Sequence, residues 1–107
     1  MGMVKHREII VTEHALIQYQ ERRRDFRPYS VLEKDIRESV LAAFAAGRVR
    51  NHRPEGFLLY GRSNRQLPPG QRLALNEDET LAWILKRESN VDIVMTTLTR
   101  TGVTIEH

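Results

Sequence analysis

One apolar stripe constrains this chain more than any other feature. Leu32, Ile36, Val40, Ala43 and Phe44 recur at spacings of three and four, which places them on one face of an α-helix. Lys34, Arg37 and Glu38 fall on the opposite side. Such a helix must bury one face against another element and leave the other in water. Ser30 and Glu33 have the spacing of a capping box, and Gly47 suits the left-handed residue that ends a helix. The pattern predicts a helix over 31–46.

The partner surface is predicted to be a sheet. Ile9 to Val11 is a short β-branched run, read as a strand. Thr12 then offers an N-cap, with Glu13 at the positive end of the dipole, for a first helix over 14–25. Pro28 ends that helix, because a residue before proline avoids the α region. After the second helix, strands are predicted at 57–60, 73–75, 81–86 and 91–98, with a last one at 103–105. Turn residues separate them, notably Pro68, Pro69 and Gly70, the polar run 76–79, and Glu88-Ser89-Asn90. Val91 to Leu98 carries apolar residues at alternating and intervening positions, as a central strand does. The predicted order is β-α-α-β-β-β-β. The expected fold class is α+β: two N-terminal helices packed on an antiparallel sheet of about four to five strands, as a single domain over 1–107.

Composition narrows the function classes. The chain has 107 residues and no cysteine, which excludes disulfides and thiolate metal sites. The longest purely apolar run, 40–46, is far short of the roughly 20 residues that span a bilayer. Ile9 to Val11 is too short for a signal-peptide core, so a cytoplasmic protein without membrane contact is expected. Of 17 basic residues, 14 are arginine, the side chain suited to planar, bidentate phosphate contacts. The charge is uneven. Residues 1–65 hold 13 Lys and Arg against 8 acids, whereas 66–107 hold 4 against 6. That asymmetry predicts a face turned towards a polyanion.

Three constellations could carry chemistry. On the first helix, His14, Gln18 and Arg22 share a face at i, i+4 spacing, with Arg23 and Arg24 beside them. A histidine at a helix start is held neutral by the dipole, so it could take a proton from a ribose 2′-OH while arginines hold the phosphate. Against this stands a solvated face making weak surface pairs. The second constellation is the basic loop Arg48, Arg50, His52 and Arg53, with Arg62 and Arg65 further on. The third is the hairpin set Lys86, Arg87, Thr96, Thr97, Thr99 and Arg100. No Gly-rich phosphate loop or nucleophile elbow occurs, and the four histidines show no metal-ligand spacing. Neither a metal site nor a cofactor is expected.

The stretch Val11-Thr12-Glu13-His14-Ala15-Leu16, followed by Tyr19 and Arg22-Arg23-Arg24, resembles the start of a family of small prokaryotic and phage domains. The helix end at Ala46-Gly47-Arg48 and the strand Val94-Met95-Thr96-Thr97-Leu98 extend the likeness over about residues 9–100. The family is similar to the RelE/BrnT-like toxins of the barnase–EndoU–colicin–RelE-like fold. The resemblance implies a metal-independent ribonuclease fold and pairing with an antitoxin. It casts His14 as the helix-start histidine, Arg22 or Arg23 as the downstream basic residue and Thr97 as the strand threonine. Gln18 stands where that family carries an arginine.

Three readings follow. The first is a non-catalytic binding or regulatory module that contacts nucleic acid, RNA before DNA, or a host protein, with Arg48, Arg50, His52, Arg53, Arg62, Arg65, Lys86, Arg87 and Arg100 as its nucleic-acid contacts. The second is a metal-independent endoribonuclease with His14, Arg22, Arg23 and Thr97 as its catalytic set. The third is an assembly domain, such as a homodimer joined at a sheet edge.

Overall fold

The computed structural model describes residues 8–57 and 66–100. The expected strand at 103–105, residues 58–60 of the strand expected at 57–60, Arg62 and Arg65 lie outside them. The fold is α+β. Two helices, α1 (Glu13–Arg23) and α2 (Tyr29–Ala46), follow β1 (Glu8–Val11) and precede β2 (Val49–Arg50), β3 (Gln71–Leu75), β4 (Leu81–Glu88) and β5 (Val91–Thr99). The five strands form one sheet in the order β1-β5-β4-β3-β2.

The sheet is mixed rather than wholly antiparallel. Three pairings are antiparallel, but β1 runs parallel to β5, with Ile9 opposite Asp92 and Val11 opposite Val94. The helices leave β1 at one edge and deliver the chain to β2 at the other, so they cross the sheet on one face. That face buries Ile9, Ala15, Leu16, Tyr19, Leu32, Ile36, Val40, Ala43, Ala74, Trp83, Leu85 and Val94. At its centre Trp83, 1% exposed, stacks on Tyr19 with ring centroids 6.5 Å apart. Burial in this layer pushes the Tyr19 phenol up from its ordinary value. The opposite face of β3 and β4 packs Leu73, Leu75, Ala82 and Ile84 against Phe57 and Leu67, from the segments that follow β2. Both faces of the sheet centre are therefore covered.

Local chemistry explains the element ends. Thr12 caps α1 by accepting from the Ala15 N–H at 3.2 Å, while its hydroxyl donates to the Val94 carbonyl at 2.8 Å. The same side chain thus starts the helix and fastens it to β5. Arg24 ends α1 two residues before the expected limit, in the left-handed region at φ 52°. The capping box expected at Ser30 and Glu33 does not form. Pro28 occupies the cap, its φ of −55° already suits helix entry, and its carbonyl accepts from Val31 and Leu32. Glu33 pairs with Arg37 instead. Arg37 Nε also donates to the Ile9 carbonyl at 3.2 Å. Thr12 N–H points to β5, so by strand alternation the Ile9 carbonyl faces the free edge while its side chain stays in the core. Arg37 therefore satisfies part of the free edge of β1, a site where another strand could otherwise add.

The α1–α2 corner is clamped by Arg27, which bonds both carboxylate oxygens of Asp25 and reaches Asp35 at 2.6 Å. The guanidinium holds the Asp25 carboxyl below its ordinary value. A carboxylate with a depressed folded-state pKa stabilises above its unfolded value, and that stabilisation goes as pH falls through the folded value. The melting temperature is expected to drop as pH falls below about 4, the ordinary carboxylate range. Asp25→Asn should flatten part of that drop in melts monitored by circular dichroism. An unchanged acid profile would show that the clamp contributes nothing.

Candidate nucleic-acid interface

The structure does not bring the candidate catalytic set together. His14 is exposed in the first turn of α1, and Arg22 and Arg23 are exposed in its last turn. His14 and Arg22 are eight positions apart on the helix, roughly 12 Å along the axis. A base and a phosphate-holding arginine must meet around one scissile phosphate, a span of a few ångströms. Thr97 is fully buried, and its hydroxyl donates to the Ala15 carbonyl at 2.9 Å beneath that first turn. It buckles α1 to β5 and presents nothing to a substrate.

Gln18 has a structural task that its position on the His14 face did not announce. β1 ends at Val11, so beyond Val94 the outer edge of β5 has no strand neighbour among the described residues. The Gln18 carboxamide oxygen accepts from the Thr97 N–H at 2.9 Å and from the Thr96 hydroxyl. The ladder is irregular there, because Leu85 pairs with Val94 and Ile84 with Thr96, leaving Met95 as a bulge. Thr12 and Gln18 together continue the edge that β1 begins.

Most cations of the hairpin region are committed. Lys86 pairs with Glu88 at 3.2 Å, and Arg87 with the buried Asp92 at 3.6 Å. Arg100 lies 5.1 Å over the Phe57 ring and donates to the Glu79 and Glu55 carbonyls at 2.8 and 3.1 Å. It also approaches the Glu79 carboxylate at 3.6 Å. These contacts make Arg100 a staple between the 76–79 turn and the segment leading to Phe57.

The basic segment after α2 differs. Arg48 Nε donates to the Leu75 carbonyl at 3.2 Å, and Arg50 Nη1 to the Gly47 carbonyl at 2.7 Å. Both partners are neutral, so both side chains keep their full positive charge. His52 Nδ1 lies 3.3 Å from the Asn51 amide oxygen, and His52 bridges to Gln66. Arg53 is half-buried, and its Nε has no hydrogen-bond partner among the described residues. Arg50 pairs with Leu73 across β2 and β3, and that pairing sets it near Arg72, the residue before Leu73. Arg50 and Arg72 line a groove of about 510 Å³ with Asn51, Phe44 and Val49. None of these five residues is acidic.

Arg72 was not among the expected contact residues. It lies on the sheet face that carries Ala74, beside the end of α2, and only the β2–β3 pairing brings it to the basic loop. Its one sequence signal is an arginine at the start of the Leu73 to Leu75 strand. Among the described residues no cluster of three or more His, Asp or Glu side chains could hold a metal ion, and no helix is long and apolar enough to cross a membrane. Comparisons with protein-family models, curated proteins and solved structures found no match.

Proposed function

We propose that this chain is a nucleic-acid-binding domain that holds the phosphate backbone along its β2–β3 edge. The observation that carries this reading is the groove formed by Arg50, Arg72, Asn51, Phe44 and Val49 without a carboxylate among its lining residues. Arg50 and Arg72 bring two guanidinium-bearing residues to one edge of the sheet, and guanidinium is the group suited to bidentate phosphate contacts. Arg50 donates to the Gly47 and Val49 carbonyls, and neither arginine makes an ion pair among the described residues. Asn51 adds an amide that can donate to phosphate or base edges. Phe44 and Val49 supply an apolar floor packed on the core, which fixes the geometry. Binding rather than cleavage is favoured because His14, Arg22 and Thr97 stand apart.

The test is a salt titration of affinity for a labelled single-stranded RNA by fluorescence anisotropy. Each phosphate contact adds about 0.7 to the slope of log K against log salt for a single strand. The double variant Arg50→Ala, Arg72→Ala is expected to reduce that slope by about 1.4 and to weaken binding roughly 25-fold at 0.1 M salt relative to 1 M. A wild-type protein with no measurable RNA or DNA affinity at low salt would overturn the reading, as would a double variant with an unchanged slope.

A further inference from the structure

The α1–α2 corner combines two features that seldom occur together by accident on a water-soluble surface. Phe26 is 74% exposed, the most exposed large apolar residue among those described, and Tyr29 next to it is 41% exposed. An aromatic ring left in water forgoes the burial that normally stabilises it. The backbone that carries it is pinned on both sides. Arg24 closes α1 in the left-handed region, Pro28 opens α2, and between them Arg27 is tied to Asp25 and Asp35. The Tyr29 hydroxyl donates to the Gln20 side-chain oxygen at 3.2 Å, which fixes that ring against α1.

The charge around the rings leans positive, with Arg22, Arg23, Arg24 and Arg27 against Glu21, Asp25 and Asp35. Arg22, Arg23 and Arg24 are exposed and make no ion pair among the described residues. Asp25 and Asp35 are both taken by Arg27, and Glu21, exposed beside Arg22, makes no ion pair among the described residues. Arg23 turns towards a cleft that it lines with Ser39, Asn76, Glu77 and Asp78, which leaves Arg22 and Arg24 as the cations free to meet an incoming anion. Exposed rings beside unpaired arginines are the arrangement by which proteins hold single strands: bases stack on the rings and phosphates meet the guanidiniums. A duplex keeps its bases stacked on one another and offers no free base face to Phe26.

We propose that the α1–α2 corner is a second nucleic-acid contact, specific for single strands, in which Phe26 stacks on an unpaired base while Arg22 and Arg24 hold the flanking phosphates. This rests on the reading that the chain binds nucleic acid. It adds to that reading a surface at the far end of α2 from the groove, and α2 is roughly 27 Å long. A strand touching both surfaces must run along the helix.

The experiment compares affinities for a 12-nucleotide single strand, as RNA and as DNA, and for its duplex. Proteins compared are the wild type, Phe26→Ala, Phe26→Trp, and the Arg50→Ala, Arg72→Ala double variant. Phe26→Ala is expected to weaken single-strand binding about tenfold, with Phe26→Trp close to wild type and duplex binding unmoved by either. RNA and DNA strands should respond alike, because stacking and phosphate contact do not read the 2′-OH. Phe26 is mostly in water, so melting curves should confirm that both variants fold. If the groove variant weakens binding to all ligands while Phe26→Ala does not weaken single-strand binding, the corner proposal fails and the groove stands. If Phe26→Ala weakens single-strand binding and the groove variant changes nothing, the corner stands and the groove fails. Equal losses for single strand and duplex in Phe26→Ala would also overturn the corner proposal, and a wild type that binds no nucleic acid would overturn both.

Discussion

Trp83→Ala is expected to cost about 3–5 kcal/mol of folding stability, the range for deleting a large aromatic from a core. Domains of this size are stable by only about 5–15 kcal/mol, so the variant should sit close to unfolding at ambient temperature. Trp83 lies on a central strand between β3 and β5, is 1% exposed and meets Tyr19 in a stacked pair. Removing the indole leaves Tyr19 without its ring partner and opens a hole between sheet and helices that neighbouring side chains fill only in part. The Trp83 Nε1 has no hydrogen-bond partner among the described residues, and a buried N–H without one costs about 1–3 kcal/mol. Trp83→Phe should therefore be far milder than Trp83→Ala, because it keeps a ring on Tyr19 and discards the unpartnered donor. Urea denaturation followed by far-ultraviolet circular dichroism measures both. A Trp83→Ala protein within 1 kcal/mol of wild type would show that the layer between helices and sheet is not the main core.

The second large effect is expected at Gly56. Its φ is +94°, and a Cβ placed there would lie 2.6 Å from Arg100 Cγ and 3.2 Å from Cδ. Alanine must therefore accept a backbone conformation that side chains disfavour and also displace the stem of Arg100. Strain of this kind costs about 1–3 kcal/mol. The displaced guanidinium also loses its place over Phe57, a contact worth about 0.5–1 kcal/mol at such sites. Gly56→Ala should lose roughly 2–3 kcal/mol in total. Arg100→Ala tests the division. In that background the clash is gone, so Gly56→Ala should cost only its backbone strain, and the two changes together should cost less than their sum. Strict additivity in a denaturation cycle would mean that Gly56 and Arg100 do not act through one another.

What the sequence made legible was local. The α2 stripe, the Thr12 cap, Gly47 at the helix end and the tight turn at Ser89-Asn90 each depend on neighbours within a few positions, and each appears in the structure. The parallel union of β1 with β5 could not be read in this way. Alternation says which face a residue takes, but it does not say which distant strand lies beside it. For the same reason β2, with two residues, passed as loop. It is a strand only because Leu73 and Ala74 are there to pair with it. The capping box at Ser30 does not form because Pro28 supplies a competing entry two residues earlier.

The candidate site divides along the same line. The charge of Arg48, Arg50 and Arg53 was visible in composition. The contribution of Arg72 needed the β2–β3 register, and the commitments of Lys86, Arg87 and Arg100 needed their acid and carbonyl partners. His14 and Arg22 share a helical face, but sharing a face over two turns does not make a catalytic pair. Thr97 is expected in the catalytic set by resemblance, and its burial and its bond to the Ala15 carbonyl make it a fastening instead.

The β1–β5 pairing has a consequence for how the chain acquires its shape during synthesis. Thr12 and its Val94 partner are 82 positions apart. While a ribosome is still making the middle of the chain, β1 has no neighbour and the apolar sides of both helices have no sheet to cover. The strand that completes the helix-facing layer is the last one described. Folding must then wait until β5 has left the exit tunnel, and until that moment Leu32, Ile36 and Val40 are open to other nascent chains and to chaperones. A ribosome stalled after β4 should carry a protease-sensitive, chaperone-bound polypeptide, whereas release of β5 should make it resistant in a single step.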